Sequence, residues 1–266
     1  MEPQFSDQPG GFVGRPLVRV EGREKVTGKA KYSAEIPLPG LTYGVLATSP
    51  IAKGKIQGID TTAAAKELGV IAVLTHLNLP KLAKTPNDAA GKKATGAPMG
   101  FMPLTGDEIF YAAQPVALVV ADTLEHATYA ATLVKVSYAP EKPIANFHDP
   151  RAELYDPEKV QDGKQKGHTV RGDAKGAFAS APIQLTATYV HPVYNHNPME
   201  PGSTTAYWEA PDRLVVYEST QGVTRTQSSL SAMTGLPREQ VRVITKYLGG
   251  GFGCKGSMWP HTVLTV

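Results

Sequence analysis

The segment that most constrains the fold lies near the end of the chain, at residues 246–256, and reads Lys-Tyr-Leu-Gly-Gly-Gly-Phe-Gly-Cys-Lys-Gly. Glycine adopts positive φ freely and lets the backbone approach another group closely. Residues 241–248 are typical of a strand. Residues 258–266 are expected to open a helix, with Ser257 as N-cap and Pro260 in the first turn. A strand, a glycine loop and a helix start together offer backbone N–H groups to an anion or an oxo group.

Short strands alternate with short helices over the first half of the chain, which predicts one α+β domain at residues 14–140 after a flexible leader at 1–13. Alternating or apolar runs predict strands at residues 15–22, 25–33 (after a turn), 41–49, 55–60, 70–75, 114–122 and 135–138. Alanine-rich segments predict helices at 61–69 and 123–134. Residues 80–106 have no periodicity and are expected to form a long surface loop.

A second domain is predicted at residues 181–266, after a linker at 141–180 that is rich in Pro, Asp, Lys and Gly. Its predicted strands are residues 183–190, 204–208 and 213–218, of which the last two are expected to pair around a turn at Pro211-Asp212. Its predicted helix is 223–234, ended by Gly235. The chain then ends at Val266 within an apolar helix. We therefore expect much of this domain to lie outside the chain, on a partner or lost by truncation.

Composition excludes several classes of function. The chain has 266 residues and a net charge of +3 from 27 basic and 24 acidic residues, which is too even to favour nucleic acid. Cys254 is the only cysteine, so the chain alone cannot form a disulfide or an iron–sulfur site. No signal pattern and no apolar run of about 20 residues is present. We expect a cytoplasmic protein without a membrane span, or a periplasmic one if a partner carries it out.

The glycine loop allows more than one interpretation from its residues alone. Residues 251–256 satisfy G-x-G-x-x-G after a predicted strand, which favours a nicotinamide dinucleotide site. That site also needs an acidic residue about 20 positions later, and only ten residues follow Gly256. A Walker-type loop is excluded because Lys255 is followed by Gly256 instead of Ser or Thr. A tight structural turn without a ligand stays open.

Several separate motifs resemble the molybdenum-binding subunit of the xanthine dehydrogenase and aldehyde oxidoreductase family. The string Leu-Gly-Gly-Gly-Phe-Gly-Cys-Lys at 248–255 is similar to its Gly-Gly-Gly-Phe-Gly-Gly-Lys signature. Further matching segments occur in order: Gly14-Arg-Pro, Gly22, residues 25–32, residues 114–122 with Ala127, Ala130 and Ala131, residues 196–201, and Ser219-Thr-Gln-Gly222. The resemblance covers residues 14–266 and, through residues 51–54, points more weakly to bacterial aldehyde oxidoreductases.

The resemblance implies a fold class and a chemistry. It implies an α+β chain in which an α/β hammerhead domain is followed by an incomplete first molybdenum-binding domain. Enzymes of this family hold molybdenum on a pyranopterin, often as the cytosine dinucleotide in bacteria, and oxidise aldehydes or N-heteroaromatics with oxygen from water. Electrons leave through [2Fe–2S] clusters and FAD on partners, so the implied partners are an iron–sulfur subunit, an FAD subunit and the C-terminal half of the molybdenum subunit.

Site residues follow from the resemblance position by position. Gln221 matches the family's glutamine that hydrogen-bonds the apical oxo ligand, and Phe252 and Gly253 match the loop beside the metal. The remaining implied cofactor contacts are Gly222, Gly250 and Gly251. No residue is expected to bind metal directly, and the catalytic glutamate is expected outside this chain. From the residues alone, Gln221 could instead cap the following helix, and Phe252 could pack in the core.

Two positions depart from the family pattern. Cys254 replaces a signature glycine and is expected to be a tolerated small side chain, and Gly256 stands where purine-oxidising members have a glutamate, which argues against a xanthine-type substrate. Glu200 and His196, placed among prolines, are expected to be structural, and His126 to lie on the surface. The isolated chain is expected to be inactive. The alternative hypothesis is a non-catalytic fragment or assembly module without a bound cofactor.

Overall fold

The structure is a computed structural model that describes residues 16–80, 102–153, 157–160 and 165–266. Contacts divide the chain into two compact units. One contains residues up to 141 together with residues 196–266, and the other contains residues 142–195. The predicted leader at residues 1–13 lies outside the described residues, as does most of the predicted loop at 80–106.

Strands and helices are short in both units. The strands are β1 (Tyr43–Thr48), β2 (Gly54–Asp60), β3 (Val70–Thr75), β4 (Glu108–Ile109), β5 (Pro115–Ala121), β6 (Lys135–Pro140), β7 (Lys159–Val160), β8 (Gln165–Lys166), β9 (Thr204–Ala210), β10 (Arg213–Glu218) and β11 (Val241–Ile244). The helices are α1 (Gly22–Val26), α2 (Thr62–Ala65), α3 (Leu124–Thr132), α4 (Ala174–Ser180), α5 (Val223–Thr234) and α6 (Pro260–Thr265). Strands β7 and β8 and helix α4 belong to the second unit.

The first sheet has the order β1-β5-β3, with β5 central and antiparallel to both neighbours. Almost every residue of β5 is buried, which explains why its sequence is a continuous apolar run. Helix α3 packs on this sheet, and Thr123 caps it by accepting a hydrogen bond from His126 N at 3.2 Å. Val73, Val119 and Ala130 lie in the core between sheet and helix. The predicted strands and helix in this region are confirmed.

A second sheet, ordered β4-β2-β6, is antiparallel throughout. Its buried side chains are Ile56 and Ile109, which pack with Val116 from β5. Val116 therefore connects the cores of the two sheets, because it belongs to the central strand of one and packs in the core of the other. Together the two sheets form the body of the α+β region predicted before residue 140.

The third sheet, ordered β11-β10-β9, positions the glycine loop. Strands β9 and β10 form the predicted hairpin, and β11 pairs with β10 in parallel after the crossover through α5. The core beneath α5 includes Leu214, Val216, Leu230, Met233 and Val241. Because β10 and β11 are adjacent and parallel, the segments that follow them meet at the same edge of the sheet.

The predicted strands at residues 15–22 and 25–33 are wrong, although the expected turn is present at Thr27 and Gly28. The described residues there form helix α1 and a 3₁₀ turn at Ser33–Glu35. The alternation of Val18 and Val20 does not mark a buried face, since Val20 is fully exposed. Thr27 N instead donates to Arg23 O at 3.1 Å, so local helical bonds satisfy the backbone. Alternation over so few residues predicts a strand only where a neighbouring strand is available.

The predicted strand at residues 183–190 is also wrong as a paired strand. In the second unit these residues are outside any sheet, and side chains such as Ile183, Leu185 and Tyr189 are exposed. The regular elements of this unit in its described part are the β7–β8 pair and helix α4. Asp173 caps α4 by accepting a hydrogen bond from Gly176 N at 2.9 Å. Residues 183–190 therefore have the pattern of a strand without a partner strand.

Candidate functional site

Gln221 and the glycine loop, defined as residues 249–256, meet at the carboxyl edge of the third sheet. Gln221 follows β10, and the loop follows β11. Gly253 N donates a hydrogen bond to Gln221 Oε1 at 3.1 Å. Gln221 N in turn donates to Lys255 O at 2.8 Å. Two residues that the sequence analysis assigned to one site, 32 positions apart, are therefore in direct contact.

The hydrogen bond from Gly253 determines what the Gln221 side chain can do. Its carbonyl oxygen Oε1 is occupied by the loop, so the Nε2 amide is the end that can bind a further group, and an amide nitrogen only donates. Gly222, not Gln221, is the N-cap residue of α5. The alternative in which Gln221 serves as a helix cap is therefore wrong, because its carbonyl oxygen serves the glycine loop.

The loop backbone adopts conformations that side chains rarely tolerate. Gly250 and Gly253 have φ values of 95° and 94°. Phe252, which is not a glycine, has φ of 49°, a conformation that costs about 1–2 kcal/mol. Phe252 is also 71% exposed, so the alternative in which it packs in the core is wrong. Backbone strain of this kind is concentrated at functional sites in proteins.

Gly251 is required by its contact with Gln221. A Cβ atom at position 251 would lie 2.5 Å from both Cδ and Oε1 of Gln221. Any side chain there would displace the Gln221 amide from Gly253 N. Gly251 is buried, whereas Gly253 and Phe252 on the same loop are exposed. The loop therefore presents Phe252 and Gly253 outward and packs Gly251 against the glutamine.

Glu200 forms a buried ion pair with Lys255 and contacts the glycine loop at both ends. Lys255, only 3% exposed, donates from Nζ to Glu200 O at 2.7 Å and to Glu200 Oε2 at 2.9 Å. Glu200 Oε2 also accepts from Gly249 N at 2.8 Å, and Glu200 N donates to Gly249 O at 3.1 Å. The sequence indicates a structural role for Glu200, but its contact with Lys255 could not be predicted, because no periodicity connects residues 55 positions apart.

Glu218, the last residue of β10, is a second buried carboxyl group beside the site. Thr262 Oγ1 donates to Glu218 Oε1 at 3.0 Å, and Thr204 Oγ1 donates to Glu218 Oε2. Burial raises the pKa of Glu218 to about 7, although these hydroxyl groups and Lys255 act in the opposite direction. His261 Nε2 lies 3.8 Å from Glu218 Oε1, too far for a hydrogen bond, and burial together with Lys255 lowers the pKa of His261.

The residues after the loop differ in part from the prediction. Residues Cys254–Gly256 form a 3₁₀ turn, and helix α6 begins at Pro260 with Trp259 as its N-cap residue, so the predicted N-cap at Ser257 is wrong. Pro260 occupies the first turn as predicted. Trp259 Nε1 donates to Cys254 O, which joins the helix start to the loop. Because the helix begins four residues after Gly256, the loop also lacks the direct entry into a helix that a dinucleotide fold has.

The remaining polar residues considered from sequence, His126 and His196, belong to no metal-binding cluster among the described residues. His126 Nδ1 lies 2.6 Å from Asp122 Oδ1 on the surface, and the hydrogen bond to His126 is the main cause that lowers the pKa of Asp122. His196 is exposed. Within residues 16–80, 102–153, 157–160 and 165–266, no three His, Cys, Asp or Glu side chains are grouped to hold a metal ion. No helix in the described part of the chain is long and apolar enough to cross a membrane.

Comparison with known families identifies both parts of the chain. A family model described as the molybdopterin cofactor-binding domain matches residues 156–266. A second model, described as the a/b hammerhead domain of aldehyde oxidase and xanthine dehydrogenase, matches residues 27–142. The chain belongs to the aldehyde oxidase and xanthine dehydrogenase family. The predicted family is thus confirmed, and so is the predicted α+β fold class, with a hammerhead domain followed by part of a molybdenum-binding domain.

Individual relatives agree with the family. The chain is 37% identical over 245 residues to the aldehyde oxidoreductase molybdenum-binding subunit of Escherichia coli, covering 91% of this chain and 31% of the relative. It is 32% identical to indole-3-acetaldehyde oxidase of Arabidopsis thaliana, covering 91% of this chain and 18% of the relative. A solved structure of CO dehydrogenase from Oligotropha carboxidovorans aligns with a TM-score of 0.67 and 26% identity, covering 94% of this chain and 33% of that one. The chain thus spans about a third or less of the length of these relatives.

The residues at the site fit a molybdenum cofactor. Such a group needs donors for its oxygen ligands and a backbone that it can approach closely. The exposed edge offers a neutral amide donor at Gln221, while Gly250 and Gly253 carry no side chain. The neutral donor is suited to an oxo ligand because it binds the oxygen without transferring a proton.

Proposed function

We propose that this chain is the N-terminal portion of a molybdenum hydroxylase catalytic subunit that oxidises aldehydes, or N-heteroaromatics, with water as the oxygen donor. The observation that carries this proposal is the contact between Gln221 and Gly253 at an exposed, strained glycine loop. The family models and the likeness to an aldehyde oxidoreductase subunit support it. The proposed organisation is a leader at 1–13, a hammerhead domain at 14–140, a linker at 141–180 and the start of a molybdopterin-binding domain at 181–266.

The proposed roles of the residues rest on the family resemblance and are supported by the contacts within the chain. When bound, a molybdenum–pterin group supplies a two-electron oxidation of the substrate with oxygen from water. Gln221 would hold an oxygen ligand of that group through Nε2, while Gly253 N keeps the amide in the required orientation. Phe252, exposed on the loop, would lie against the cofactor. Gly222 and Gly250 would let the backbone come close to the cofactor without a side-chain clash, and Gly251 lets the backbone come close to Gln221.

An aldehyde is favoured over a purine as substrate because of position 256. Gly256 stands where the family pattern of purine-oxidising members has a glutamate, so this chain lacks the carboxylate that would recognise a purine there. The general-base glutamate lies outside this chain in the proposal. The isolated chain is therefore inactive, and activity needs the C-terminal half of the molybdenum subunit.

The proposal also includes the form of the cofactor, the electron acceptors and the compartment. The cofactor is the cytosine dinucleotide form of the molybdenum pyranopterin, and electrons pass to [2Fe–2S] clusters and FAD on an iron–sulfur subunit and an FAD subunit. The only cysteine in the sequence is Cys254, so these clusters require cysteines from partners. The assembled enzyme is cytoplasmic, or periplasmic if a partner is exported with it.

Two substitutions at Gln221 test the proposal in the assembled enzyme. Gln221→Ala removes both the acceptor for Gly253 N and the amide donor. Gln221→Glu keeps the acceptor for Gly253 N and replaces the neutral donor with a negative charge, because an ionised carboxylate cannot donate. We expect both to lower aldehyde turnover by about 100-fold, the usual effect of removing one donor from a reacting oxygen.

Molybdenum content and turnover together decide the outcome. The proposal predicts slow turnover with molybdenum retained in the Gln221→Glu variant, since the loop stays anchored. Unchanged turnover together with unchanged molybdenum content in both variants would contradict the role assigned to Gln221. A native protein that contains no molybdenum would instead support the non-catalytic alternative.

A further inference from the structure

Glu200 contacts the glycine loop where it begins and where it ends. Its backbone N–H donates to Gly249 O, and its carboxylate Oε2 accepts from Gly249 N at 2.8 Å. The same Oε2 accepts from Lys255 Nζ at 2.9 Å. One residue outside the loop therefore holds two loop residues that are six positions apart.

Lys255 connects this ion pair to Gln221. Its side chain reaches Glu200, while its backbone oxygen accepts from Gln221 N at 2.8 Å and from Thr220 Oγ1 at 3.2 Å. A shift of Lys255 would therefore move the backbone of Gln221 as well as the end of the loop. The hydrogen bond from Gly253 N to Gln221 Oε1 lies between these two anchors.

Because both side chains are buried, the loss of either one is expected to destabilise the structure around the ion pair. The side chains of Lys255 and Glu200 are 3% and 9% exposed. Removing one partner of a buried ion pair leaves an uncompensated charge, whereas removing both charges together is far less disruptive. The backbone is also packed closely here, since a Cβ atom at position 249 would lie 2.5 Å from Glu200 Cβ.

We propose that the Glu200–Lys255 ion pair is a positioning element that fixes both ends of the glycine loop and so brings Gly253 N to Gln221. Neither residue is assigned a contact with the reacting groups. That this position serves a molybdenum cofactor rests on the proposed function, but the positioning itself is a property of the chain without any cofactor. An experiment can therefore contradict the proposed function without contradicting the positioning role of the ion pair, and the reverse also holds.

Cys254 provides a reporter inside the loop. It is the only cysteine of the chain, it is half-buried, and it lies between Gly253 and Lys255. The rate at which its thiol reacts with Ellman's reagent, measured on the folded full chain, reports how often the loop opens. Trp259 gives a second signal in the same samples, because its indole N–H donates to Cys254 O.

Three variants and one control make the experiment. Glu200→Gln and Lys255→Met each remove one charge, and the double variant removes both. Val216→Ala destabilises the core beneath the third sheet without contact to the loop, so it controls for global stability. Thiol reactivity is compared at denaturant concentrations where each protein is folded.

The proposal predicts thiol reaction rates about tenfold or more above wild type for each single variant, and a rate between wild type and the single variants for the double variant. The Val216→Ala control should react at the wild-type rate while folded. If a single variant does not fold, the double variant decides, because it buries no unpaired charge. A wild-type rate in the folded double variant, or equal acceleration in Val216→Ala, would overturn the proposal.

Discussion

The first sheet and the glycine loop are held together by different physical means. Strand β5 is buried along almost its whole length, and its side chains pack against apolar residues of β3 and α3 in addition to its backbone pairing. The glycine loop has an exposed phenylalanine at its tip and is fixed by hydrogen bonds and one buried ion pair. Apolar packing tolerates many sequences of similar volume, whereas each polar contact depends on particular atoms. We therefore expect the glycine loop to tolerate fewer substitutions than the first sheet.

The largest expected effect tests apolar packing of the same kind in the core that supports the glycine loop. Leu230 is completely buried in the core beneath α5. Leu230→Ala should lower the free energy of unfolding by about 4 kcal/mol, the usual cost of a cavity of this kind. Urea denaturation measures it, with Leu68→Ala, at a residue 76% exposed, as the matched control. Equal losses in the two variants would mean that the core does not stabilise this region.

The next effect is a pH dependence at Glu218. The folded chain holds a proton on this carboxyl up to a pKa of about 7, whereas the unfolded chain releases it near the ordinary value of 4.5. Because only the folded state binds the proton in that interval, the free energy of unfolding falls as pH rises through it, by about 3 kcal/mol in total.

Glu218→Gln should remove this slope, because an amide is neutral at every pH. The variant should therefore exceed wild type in stability at about pH 8 and lose that advantage towards about pH 5. Urea denaturation across this interval measures the difference. Parallel curves for wild type and variant would contradict the raised pKa.

A smaller effect tests the strain in the loop. Phe252 has positive φ and little burial, so Phe252→Gly should raise the free energy of unfolding by about 1 kcal/mol. Phe252→Ala is the matched control, since it removes the same ring but keeps a Cβ atom in the strained conformation. Thermal denaturation of the three proteins separates the contributions. A glycine variant no more stable than the alanine variant would show that the loop carries no such strain.

The smallest expected change in stability is at Gly251. A Cβ atom there meets the far end of the flexible Gln221 side chain, which can move away at a cost below about 1 kcal/mol. Gly251→Ala should nevertheless break the bond from Gly253 N to Gln221 Oε1, because the amide is displaced. Hydrogen exchange at Gly253 N reports this directly. Wild-type protection at that amide would show that the approach of Gly251 to Gln221 is not required.

Much of the fold could be predicted from sequence because its elements carry their own patterns. The apolar run of β5, the amphipathic helix α3 and the hairpin of β9 and β10 were all predictable locally, as was the end of α5 at Gly235. Where alternation is not matched by a neighbouring strand, as at residues 15–22 and 183–190, the same rule fails. Whether a strand finds a partner depends on the tertiary fold, and local alternation of apolar and polar residues does not reveal it.

The candidate site could also be predicted only in part from the sequence. The family resemblance located Gln221 and the glycine loop, and the structure brings them into contact. The Glu200–Lys255 ion pair and the buried Glu218 could not be derived, because their partners are distant in sequence and carry no periodic signal. A glutamate between two prolines and a glutamate ending an apolar strand are the only local signs of them.

The most direct test of the central claim is the molybdenum content and native mass of this protein purified from its own source without a tag. The proposed function predicts stoichiometric molybdenum in a particle larger than the chain alone, because Gln221 and the glycine loop would supply only one part of the cofactor site. A metal-free particle with the mass of the single chain would contradict it.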